Sequence, residues 1–477
     1  MIDSFIKINT AITGGGHSLS EIVRALLDDI SAKEDLNAFV EVFSDTAMAQ
    51  AEEIDKRASQ GRAGRLAGMI VAIKDNICYE GHQVSASSKI LEGFTSLFSA
   101  TVVQRLIEQD ALIIGRTACD EFAMGSSTET SVYGAVKNPK DKTRVPGGSS
   151  GGSSAAVAAG LCHVALGSDT GGSVRQPASF TGTIGFKPTY GRVSRHGLIS
   201  YASSFDQIGP ISNDLRDLAL VMEVISGRDE YDSTLASNEV DQYASFSKPI
   251  EKKRFVYFKS YLNHKGLDAE VRNNFFSFTK WLTEQGHEVI EKDFSYVDEL
   301  VPSYYVLTTA EASSNLARYD GIRYGYRSKG THNLKETYTK SRSEGFGLEV
   351  KRRIMLGTYV LSAGYYDAYY TKAQKIRRLA RDQTMEQFKA ADFIIGPTSP
   401  HTAFELGSQT NDPIKMYLED IFTVQANICG LPAISLPLSK HGNGMPYGMQ
   451  VMAPPYMEDS LLSISNWLMN NKSLEDL

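Results

Sequence analysis

Residues 147–178 contain two glycine-flanked serine clusters, and they constrain the fold of this chain more than any other stretch. The first cluster, GGSSGGSS, starts at Gly147, and the second, GSDTGGS, starts at Gly167. Glycine permits sharp turns and a close approach of the backbone to a ligand, because it has no Cβ. A serine after such a turn is exposed beside backbone N–H groups that can converge on one spot. The stretch therefore predicts an acyl-transfer site with a hydroxyl nucleophile and donors for a developing oxyanion.

A flexible Gly/Ser linker is the alternative explanation for this composition. The sequence between the clusters argues against a linker, because residues 155–166 are mostly apolar. Residues 155–159 are typical of a short helix, and residues 161–166 are typical of a buried strand. The second cluster then lies on a tight loop after that strand. A helix can begin at Val174, and its N-terminus would offer free N–H groups and a positive dipole end.

Two other motifs in the same stretch belong to different classes of hydrolase. Ser149 and Ser150 both lie in a G-x-S-x-G pattern, which marks the nucleophile elbow of α/β-hydrolases. That elbow follows an apolar strand, whereas the sequence KTRVP precedes the cluster here. Residues 169–171 spell the D-T-G motif of aspartic proteases, but no second D-T-G supplies the partner carboxylate. The sequence therefore favours neither class.

Lys74 is the candidate base for these serines. It ends the apolar segment 68–73, which predicts a buried strand. Burial can lower the pKa of a lysine from about 10.4, so that the neutral amine becomes available as a base. Most lysines at strand ends reach solvent instead. The presence of two glycine-cradled serine clusters is what favours a functional role for this one.

Helical and strand patterns alternate along the rest of the chain and predict an α/β fold with a mixed central β-sheet flanked by helices. Ser18 and Glu21 form a capping box at the start of the first predicted helix. No linker, repeat or long charge run divides the chain, so residues 1–477 are interpreted as a single domain with a catalytic core at about 65–215. Helices are predicted at residues 18–33, 45–58, 100–109, 268–284, 303–319, 417–428 and 459–469, with a long helical region at 348–390. Strands are predicted at 37–43, 68–74, 111–115, 254–258, 288–291, 392–398, 433–436 and 445–452.

Composition and charge exclude several classes of protein. The net charge of −7 does not favour nonspecific binding of nucleic acid. The four cysteines form no C-x-x-C pair, which indicates a reducing compartment and no zinc site. The first residues lack a signal-peptide pattern, and no apolar run approaches the ~20 residues of a membrane helix. We therefore expect a cytoplasmic protein without a metal site.

Three motifs together resemble the amidase signature family: VAIKDN at residues 71–76, PGGSSGGS at 146–153 and GSDTGGSVRQP at 167–177. The two serines of the family lie 24 residues apart, as Ser149 and Ser173 do here. The resemblance implies the amidase signature fold and a Ser-Ser-Lys triad. In that triad Ser173 is the nucleophile, Ser149 the bridging serine and Lys74 the base. The resemblance also implies an oxyanion hole formed by backbone N–H groups of Ser173 and of Thr170, Gly171 and Gly172.

Further stretches are similar to one branch of that family, the A subunits of glutamyl-tRNA(Gln) amidotransferases. They are SYY at residues 303–305 with AEASSNLAR at 310–318, VKRRIMLGT at 350–358 and MYLED at 416–420. By position in these motifs, the resemblance implies that Tyr304, Arg353 and Asp420 contact glutamine. The α-carboxylate and α-ammonium of glutamine require a cation and a carboxylate in the pocket. Arg353 could instead be a solvent-facing helix charge, and Arg352 is the alternative residue for the contact.

The resemblance to that branch implies a carbon–nitrogen ligase assembled as a heterotrimer. This chain would hydrolyse glutamine and need no cofactor of its own. A B subunit would use the ammonia, ATP and Mg²⁺ to convert Glu-tRNA(Gln) to Gln-tRNA(Gln), with a small C subunit bracing the two larger chains. Two alternatives stay open, a free-standing amidase with the same triad and a non-catalytic glutamine-binding protein. The intact Lys74, Ser149 and Ser173 weigh against the second.

Overall fold

The computed structural model describes residues 2–409 and 413–472, and an eleven-stranded mixed sheet is the framework of this region. The strands run in the order β1-β3-β2-β4-β6-β5-β10-β11-β9-β7-β8 across the sheet. They are β1 (Phe39–Val42), β2 (Ile70–Lys74), β3 (Leu112–Thr117), β4 (Val164–Asp169), β5 (Ile184–Lys187), β6 (Gln207–Ser212), β7 (Arg254–Phe258), β8 (Glu288–Lys292), β9 (Phe393–Pro397), β10 (Ala433–Lys440) and β11 (Pro446–Met452). β2 pairs in parallel with β3 and β4, and β7 pairs in parallel with β8 and β9. The remaining pairs are antiparallel.

Sixteen α-helices accompany the sheet in the described part of the chain. They are α1 (Phe5–Thr13), α2 (Leu19–Ala32), α3 (Ser44–Ser59), α4 (Thr101–Glu108), α5 (Gly151–Ala158), α6 (Arg175–Thr181), α7 (Leu215–Ile225), α8 (Lys259–Leu262), α9 (Ala269–Glu284), α10 (Val297–Asn315), α11 (Leu334–Gly345), α12 (Leu348–Val360), α13 (Lys372–Gln387), α14 (Pro413–Leu418), α15 (Val424–Cys429) and α16 (Glu458–Asn471). None of these described helices combines the length and apolar character needed to cross a membrane. The predicted α/β fold with a mixed sheet is confirmed.

Alternate residues of β2 feed two separate apolar cores on the two faces of the sheet. Val71 and Ile73 belong to one core, whereas Ile70 and Ala72 belong to the other. This separation follows from the alternation of side chains along a strand. Helices α4, α7 and α10 contribute to the first core, and α2, α3 and α5 contribute to the second. Burial on both faces explains why the sequence of β2 is continuously apolar.

Most predicted helices and strands lie within a few residues of the observed ones. The helix predicted at 18–33 is α2, and its N-cap Ser18 accepts a hydrogen bond from the backbone N–H of Glu21 at 3.2 Å. The helix predicted at 303–319 is α10, which begins earlier, at Val297. Pro302 lies inside α10 and removes one helical hydrogen bond. Several short elements were not predicted, among them β5 and β6.

The helix and the strand around the two serine clusters lie a few residues away from their predicted positions. The helix predicted at 155–159 is α5, which begins at Gly151, inside the first cluster. The strand predicted at 161–166 is β4, which runs from Val164 to Asp169. It extends this far because its ladder with β6 continues to the pair Asp169 and Gln207. The turn that carries the second cluster therefore begins directly after Asp169.

The region 348–390 is helical as predicted but interrupted, whereas the prediction of one helix at 417–428 was wrong. The region 348–390 contains α12, a π-helical segment at Tyr366–Thr371 and α13. Gly364 interrupts it with a φ of +88°, which lies outside the right-handed helical region. The region 417–428 is divided into α14 and α15. The Thr423 hydroxyl ahead of α15 donates to the carbonyl of Gly171 at 2.6 Å, a tertiary contact that no local pattern signals.

A buried ion pair joins the end of β4 to later parts of the chain. Arg175 donates from Nε and Nη2 to the Asp169 carboxylate, each at 3.0 Å. The same guanidinium donates to the carbonyl of Thr423 at 2.9 Å and, at 2.6 Å each, to the side chains of Gln450 and Asn427. Burial opposes ionisation of Asp169, but the guanidinium charge holds the pKa of this carboxyl at about 2. Through this network, α15 and β11 support the region that was predicted to be the catalytic core. The bounds of that core and the single domain remain predictions.

Arg175→Met should lower the free energy of unfolding by about 3–5 kcal/mol, because it leaves the Asp169 carboxylate buried without its partner. Arg378→Met on α13 is the matched control. Arg378 and its partner Asp382 are exposed, with 74% and 55% of their side-chain surfaces accessible, and loss of such a surface pair costs about 1 kcal/mol or less. Urea denaturation followed by circular dichroism measures both effects. An equal loss in the two variants would contradict the role of the buried pair.

Candidate active site

Lys74 ends β2 in a fully buried position among three serine hydroxyls. Its Nζ lies 2.7 Å from Ser149 Oγ, 3.0 Å from Ser150 Oγ and 2.9 Å from Ser168 Oγ. The side chain has no exposed surface, and this burial lowers the pKa of Lys74 to about 8. A lysine with such a pKa is partly neutral near neutral pH, so its amine can accept a proton. The sequence pointed to Ser149 as a neighbour of this lysine, whereas Ser150 and Ser168 were missed.

The backbone at Gly148 and Ser149 is held by the side chain of Gln176 and the backbone of Asp120. The amide N–H of Gly148 donates to Gln176 Oε1 at 2.9 Å, and the N–H of Asp120 donates to the carbonyl of Ser149 at 3.2 Å. A Cβ on Gly148 would overlap the Asp120 carboxylate. Only glycine therefore fits at this position. The peptide bond between Gly148 and Ser149 is cis.

Ser173 lies on the turn between β4 and α6, with 6% of its surface exposed. Its carbonyl accepts a hydrogen bond from the N–H of Ser150 at 3.1 Å, so the two serine clusters are joined directly. Among the described residues, no hydrogen bond joins the hydroxyls of Ser149 and Ser173. Hydrogen bonds of this kind are often long in unliganded sites and shorten when substrate binds. The structure thus places Lys74 against Ser149, and Ser173 on the adjoining turn.

The turn before Ser173 presents unpaired backbone donors. Gly172 has a φ of +143°, a conformation that favours glycine. Within residues 2–409 and 413–472, no group accepts a hydrogen bond from the N–H of Gly171, Gly172 or Ser173. Buried N–H groups without a partner are rare in native proteins. These donors are therefore available for an oxyanion, the role that the family resemblance implied for Thr170 to Ser173.

Two residues that sequence patterns did not reveal hold this turn in place. Thr170 donates from its hydroxyl to Asp206 Oδ1 at 2.7 Å, and burial raises the pKa of Asp206 to about 7. Thr423 donates from its hydroxyl to the carbonyl of Gly171 at 2.6 Å. A Cβ on Gly172 would overlap the Thr423 side chain. The position of Asp206 directly before β6 is a weak indication in the sequence that it belongs to the site. Nothing near Thr423 in the sequence indicates its role.

Arg353 on α12 points into the protein. It donates from Nη1 to the Tyr201 hydroxyl and from Nε to Glu349 Oε1, both at 2.8 Å. Its side chain is 3% exposed, whereas that of Arg352, which pairs with the same Glu349, is 40% exposed. The description of a solvent-facing charge therefore fits Arg352. The structure gives Arg353 the inward position that a substrate contact requires.

Tyr304 on α10 approaches the turn at residues 170–173, and so does Asp420 in the segment between α14 and α15. A Cβ on Gly171 would lie 2.6 Å from the Tyr304 hydroxyl, so this hydroxyl stands against the turn. The Asp420 carboxylate accepts from the Tyr305 hydroxyl at 3.3 Å, and its carbonyl accepts from the Thr423 hydroxyl at 3.1 Å. Burial raises the pKa of Asp420 to about 8. A cationic group bound beside it would favour the ionised carboxylate.

A cavity of about 250 Å³ opens beside Arg353, although neither Tyr304 nor Asp420 lines it. Its volume lies just below the range of pockets for drug-sized ligands, roughly 300–1,000 Å³, and therefore favours a small ligand. Asp120 lines the cavity, its backbone N–H donates to the Ser149 carbonyl, and Ser149 contacts Lys74. Asp120 and Ser149 therefore stand between the cavity and the buried lysine, and neither Lys74 nor Ser173 lines it. The lining residues are Asp120, Glu121, Met124, Gly125, Ser126, Ser127, Glu129, Thr130, Gly347, Leu348, Glu349, Arg352, Arg353, Gln409, Met416 and Tyr417.

Known proteins resemble this chain over most of its length. A family model described as Amidase matches residues 21–462. A Koribacter versatilis protein, named as the A subunit of glutamyl-tRNA(Gln) amidotransferase, is 51% identical over 448 residues, 93% of either chain. A Fusobacterium nucleatum protein of the same name is 51% identical over 454 residues, 94% of this chain and 93% of that one. The crystal structure of the A chain of this amidotransferase from Thermotoga maritima is 39% identical, with a TM-score of 0.80 over 99% of this chain and 96% of that chain.

Gly172→Ala should slow amide hydrolysis by about a hundredfold or more, because the added Cβ displaces the turn that carries the oxyanion donors. Gly286→Ala is the matched control. Gly286 also has a positive φ, +89°, but no atom lies within 4 Å of the position of its Cβ. Hydrolysis of a simple amide and thermal melting are measured for both variants. A folded Gly172→Ala protein with wild-type activity would show that the observed turn is not needed.

Proposed function

Since this chain belongs to the amidase family, we propose that it is the glutamine-hydrolysing subunit of a glutamyl-tRNA(Gln) amidotransferase. The observation that carries the proposal is the buried contact of 2.7 Å between Lys74 Nζ and Ser149 Oγ. The unpaired N–H groups before Ser173 supply the second requirement of acyl transfer, which is stabilisation of an oxyanion. Relatives that are 51% identical bear the name of the A chain of this enzyme, and this supports the choice of substrate.

The proposed reaction begins when Ser173 Oγ attacks the side-chain amide carbon of glutamine. The Ser173 proton passes to Ser149, and the Ser149 proton passes to the neutral amine of Lys74. Negative charge develops on the amide oxygen, where the N–H groups of residues 170–173 donate hydrogen bonds. The buried lysine becomes an ammonium ion only at this step, close to the negative charge that it helps to offset.

Release of ammonia reverses the proton path. The carbon–nitrogen bond breaks as Lys74 returns its proton through Ser149 to the leaving nitrogen, which departs as NH₃. The glutamyl group remains on Ser173 as an ester. Water then attacks this ester with the same proton relay, and glutamate leaves. Each turnover therefore consumes one glutamine and one water and restores the neutral lysine.

Three residues are proposed to recognise glutamine. Arg353 would bind the α-carboxylate, since among the described residues nothing accepts a hydrogen bond from its Nη2. Asp420 would accept from the α-ammonium group. The Tyr304 hydroxyl, which stands against Gly171 in the turn at residues 170–173, would position the side-chain amide. Together these contacts select an amide that carries both an ammonium and a carboxylate group.

We place ATP, Mg²⁺ and Glu-tRNA(Gln) on a B subunit, with a C subunit completing a heterotrimer that acts as a carbon–nitrogen ligase. The net charge of −7 and the lack of a G-x-x-x-x-G-K-[ST] phosphate loop in this sequence support that division of labour. Ammonia is mostly protonated near neutral pH and is then no nucleophile, so transfer within a complex makes chemical sense. A cytoplasmic location remains a prediction from the sequence.

The value of kcat/KM for amide hydrolysis should rise with pH and level off above about 8, the pKa of Lys74. Below this pH the lysine is protonated and holds no lone pair, and above it the neutral amine can accept a proton. The pKa of Asp420 is also about 8, so the assay uses a short neutral amide without an ammonium group.

Lys74→Arg is the companion variant for this pH profile. Arginine keeps the charge and the donors, but its guanidinium does not lose a proton, so hydrolysis should fall about a hundredfold or more. Lys33→Arg, at a partly exposed lysine after α2, controls for the substitution itself. A flat pH profile, or an active Lys74→Arg protein, would contradict a lysine base.

The chain should form Gln-tRNA(Gln) from glutamine only together with B and C subunits from the same cell, ATP and Glu-tRNA(Gln). Ser173→Ala should abolish the reaction with glutamine, because no acyl-enzyme can form. The same variant complex should stay active when ammonium chloride replaces glutamine, since the B subunit then receives ammonia directly. Charged tRNA species are separated on acid gels. An isolated chain that binds no such subunits and hydrolyses other amides faster than glutamine would instead be a free-standing amidase.

A further inference from the structure

Helix α12 is apolar on its outer face as well as on its inner face. Val350 and Val360 are buried on the inner face. On the outer face, Leu348 and Met355 are each 72% exposed and Tyr359 is 43% exposed. Residues spaced seven and four apart lie on the same side of a helix. Large exposed apolar side chains that gather in one stripe mark an interaction surface.

The stripe continues into the π-helical segment Tyr366–Thr371, which buries none of its residues. Tyr365, Tyr366 and Tyr369 are 42–45% exposed. The rings of Tyr359 and Tyr365 lie 4.3 Å apart between centroids, so neighbouring tyrosines partly cover each other. π-helices are rare and frequently occur at functional sites. We call the exposed side chains of Leu348, Met355, Leu356, Tyr359, Tyr365, Tyr366 and Tyr369 the 348–369 face.

The border of the 348–369 face is basic. Lys372 and Lys375 follow the π-helical segment directly in the sequence, although the whole chain has a net charge of −7. Both lysines lie at the start of α13 and are exposed, and neither of them forms an ion pair within the described ranges. A binding partner with an apolar centre and an acidic border would complement this surface.

One end of the 348–369 face reaches the substrate cavity. Leu348 and Arg352 line the cavity, and Arg353 lies on the inner side of the same helix. A protein bound to this face would therefore contact the helix that holds the proposed carboxylate-binding arginine. This position suits a subunit whose chemistry depends on the product of the site.

We propose that the 348–369 face binds another subunit of the amidotransferase through an apolar surface bordered by acidic side chains. The inference rests on the proposed function, which supplies the partner. Tyrosine, methionine and arginine are enriched in the centres of protein interfaces. Aliphatic side chains such as Leu348 and Met355 stand among the tyrosines, and the tyrosine rings already lie against each other. Both features favour a protein over RNA, whose bases stack on open aromatic faces.

Met355→Asp in the full-length chain tests the proposal. Met355 lies outside the cavity lining, so glutamine hydrolysis by the chain should be unchanged. Affinity for the purified B and C subunits, measured by sedimentation velocity and biolayer interferometry, should fall about tenfold or more, because a charge is buried at the centre of the interface. Leu97→Asp is the matched control, since Leu97 is 82% exposed elsewhere on the surface and its variant should bind normally.

A second variant tests the basic border. Lys372→Glu combined with Lys375→Glu should slow association and reduce its dependence on salt, because like charges then face the acidic border of the partner. The same two lysines lie away from the cavity lining, so hydrolysis should again be unchanged. Faster association of this double variant would contradict the proposal that acidic side chains border the partner's surface.

Each remaining outcome decides the proposal. Weakened binding of the B and C chains by Met355→Asp with normal hydrolysis supports it. Normal binding by Met355→Asp overturns the docking surface and leaves the proposed function standing. A wild-type chain that binds neither the B nor the C chain overturns both. Loss of tRNA binding alone would assign the face to RNA, and loss of a wild-type dimer alone would assign it to a second copy of this chain; either result overturns the proposal.

Discussion

Arg175 and Asp169 meet in the interior of the protein, with no exposed surface on either side chain. Two charges in such a place are stabilised only when each is paired and hydrogen-bonded. Arg175 meets this condition through groups that lie far along the chain, including Thr423, Asn427 and Gln450. The region around β4 therefore reaches a low free energy only when α15 and β11 have packed against it. The geometry of the turn at residues 170–173 therefore depends on the complete sheet.

The parts of the fold that could be predicted from the sequence depend on neighbouring residues. The apolar run before Lys74 indicated a buried strand, and Ser18 with Glu21 marked the start of a helix. The α/β class followed from the alternation of such patterns. The candidate site could be predicted for the same reason, since glycine-flanked serines and a lysine at a strand end can be recognised in short windows of sequence. Assignment of their roles still required the resemblance to a known family.

The rest depends on contacts between residues that are distant in the sequence. Thr423 lies 252 positions from Gly171, whose carbonyl it binds, and no short pattern reports such a pair. The same contact accompanies the break between α14 and α15, where periodicity alone predicted one helix. Ser168 was missed because it lies within β4, where a polar side chain is expected only if a buried partner such as Lys74 exists. Asp206 was overlooked for a similar reason, because its partner Thr170 belongs to a different strand end.

The three hydroxyls around Lys74 have a consequence for the direction of its hydrogen bonds. A protonated amine has three N–H groups and can donate to all three, whereas the neutral amine has two N–H groups and one lone pair. Removal of the proton therefore obliges one serine to turn its own hydrogen toward the nitrogen. Ser150 can direct its hydrogen to the carbonyl of Ser168 at 3.2 Å, and Ser149 makes the shortest contact with the amine, 2.7 Å. Loss of the proton from Lys74 thus reverses the direction of one hydrogen bond and also removes a charge. It thereby sets the direction in which the Ser149 hydroxyl points.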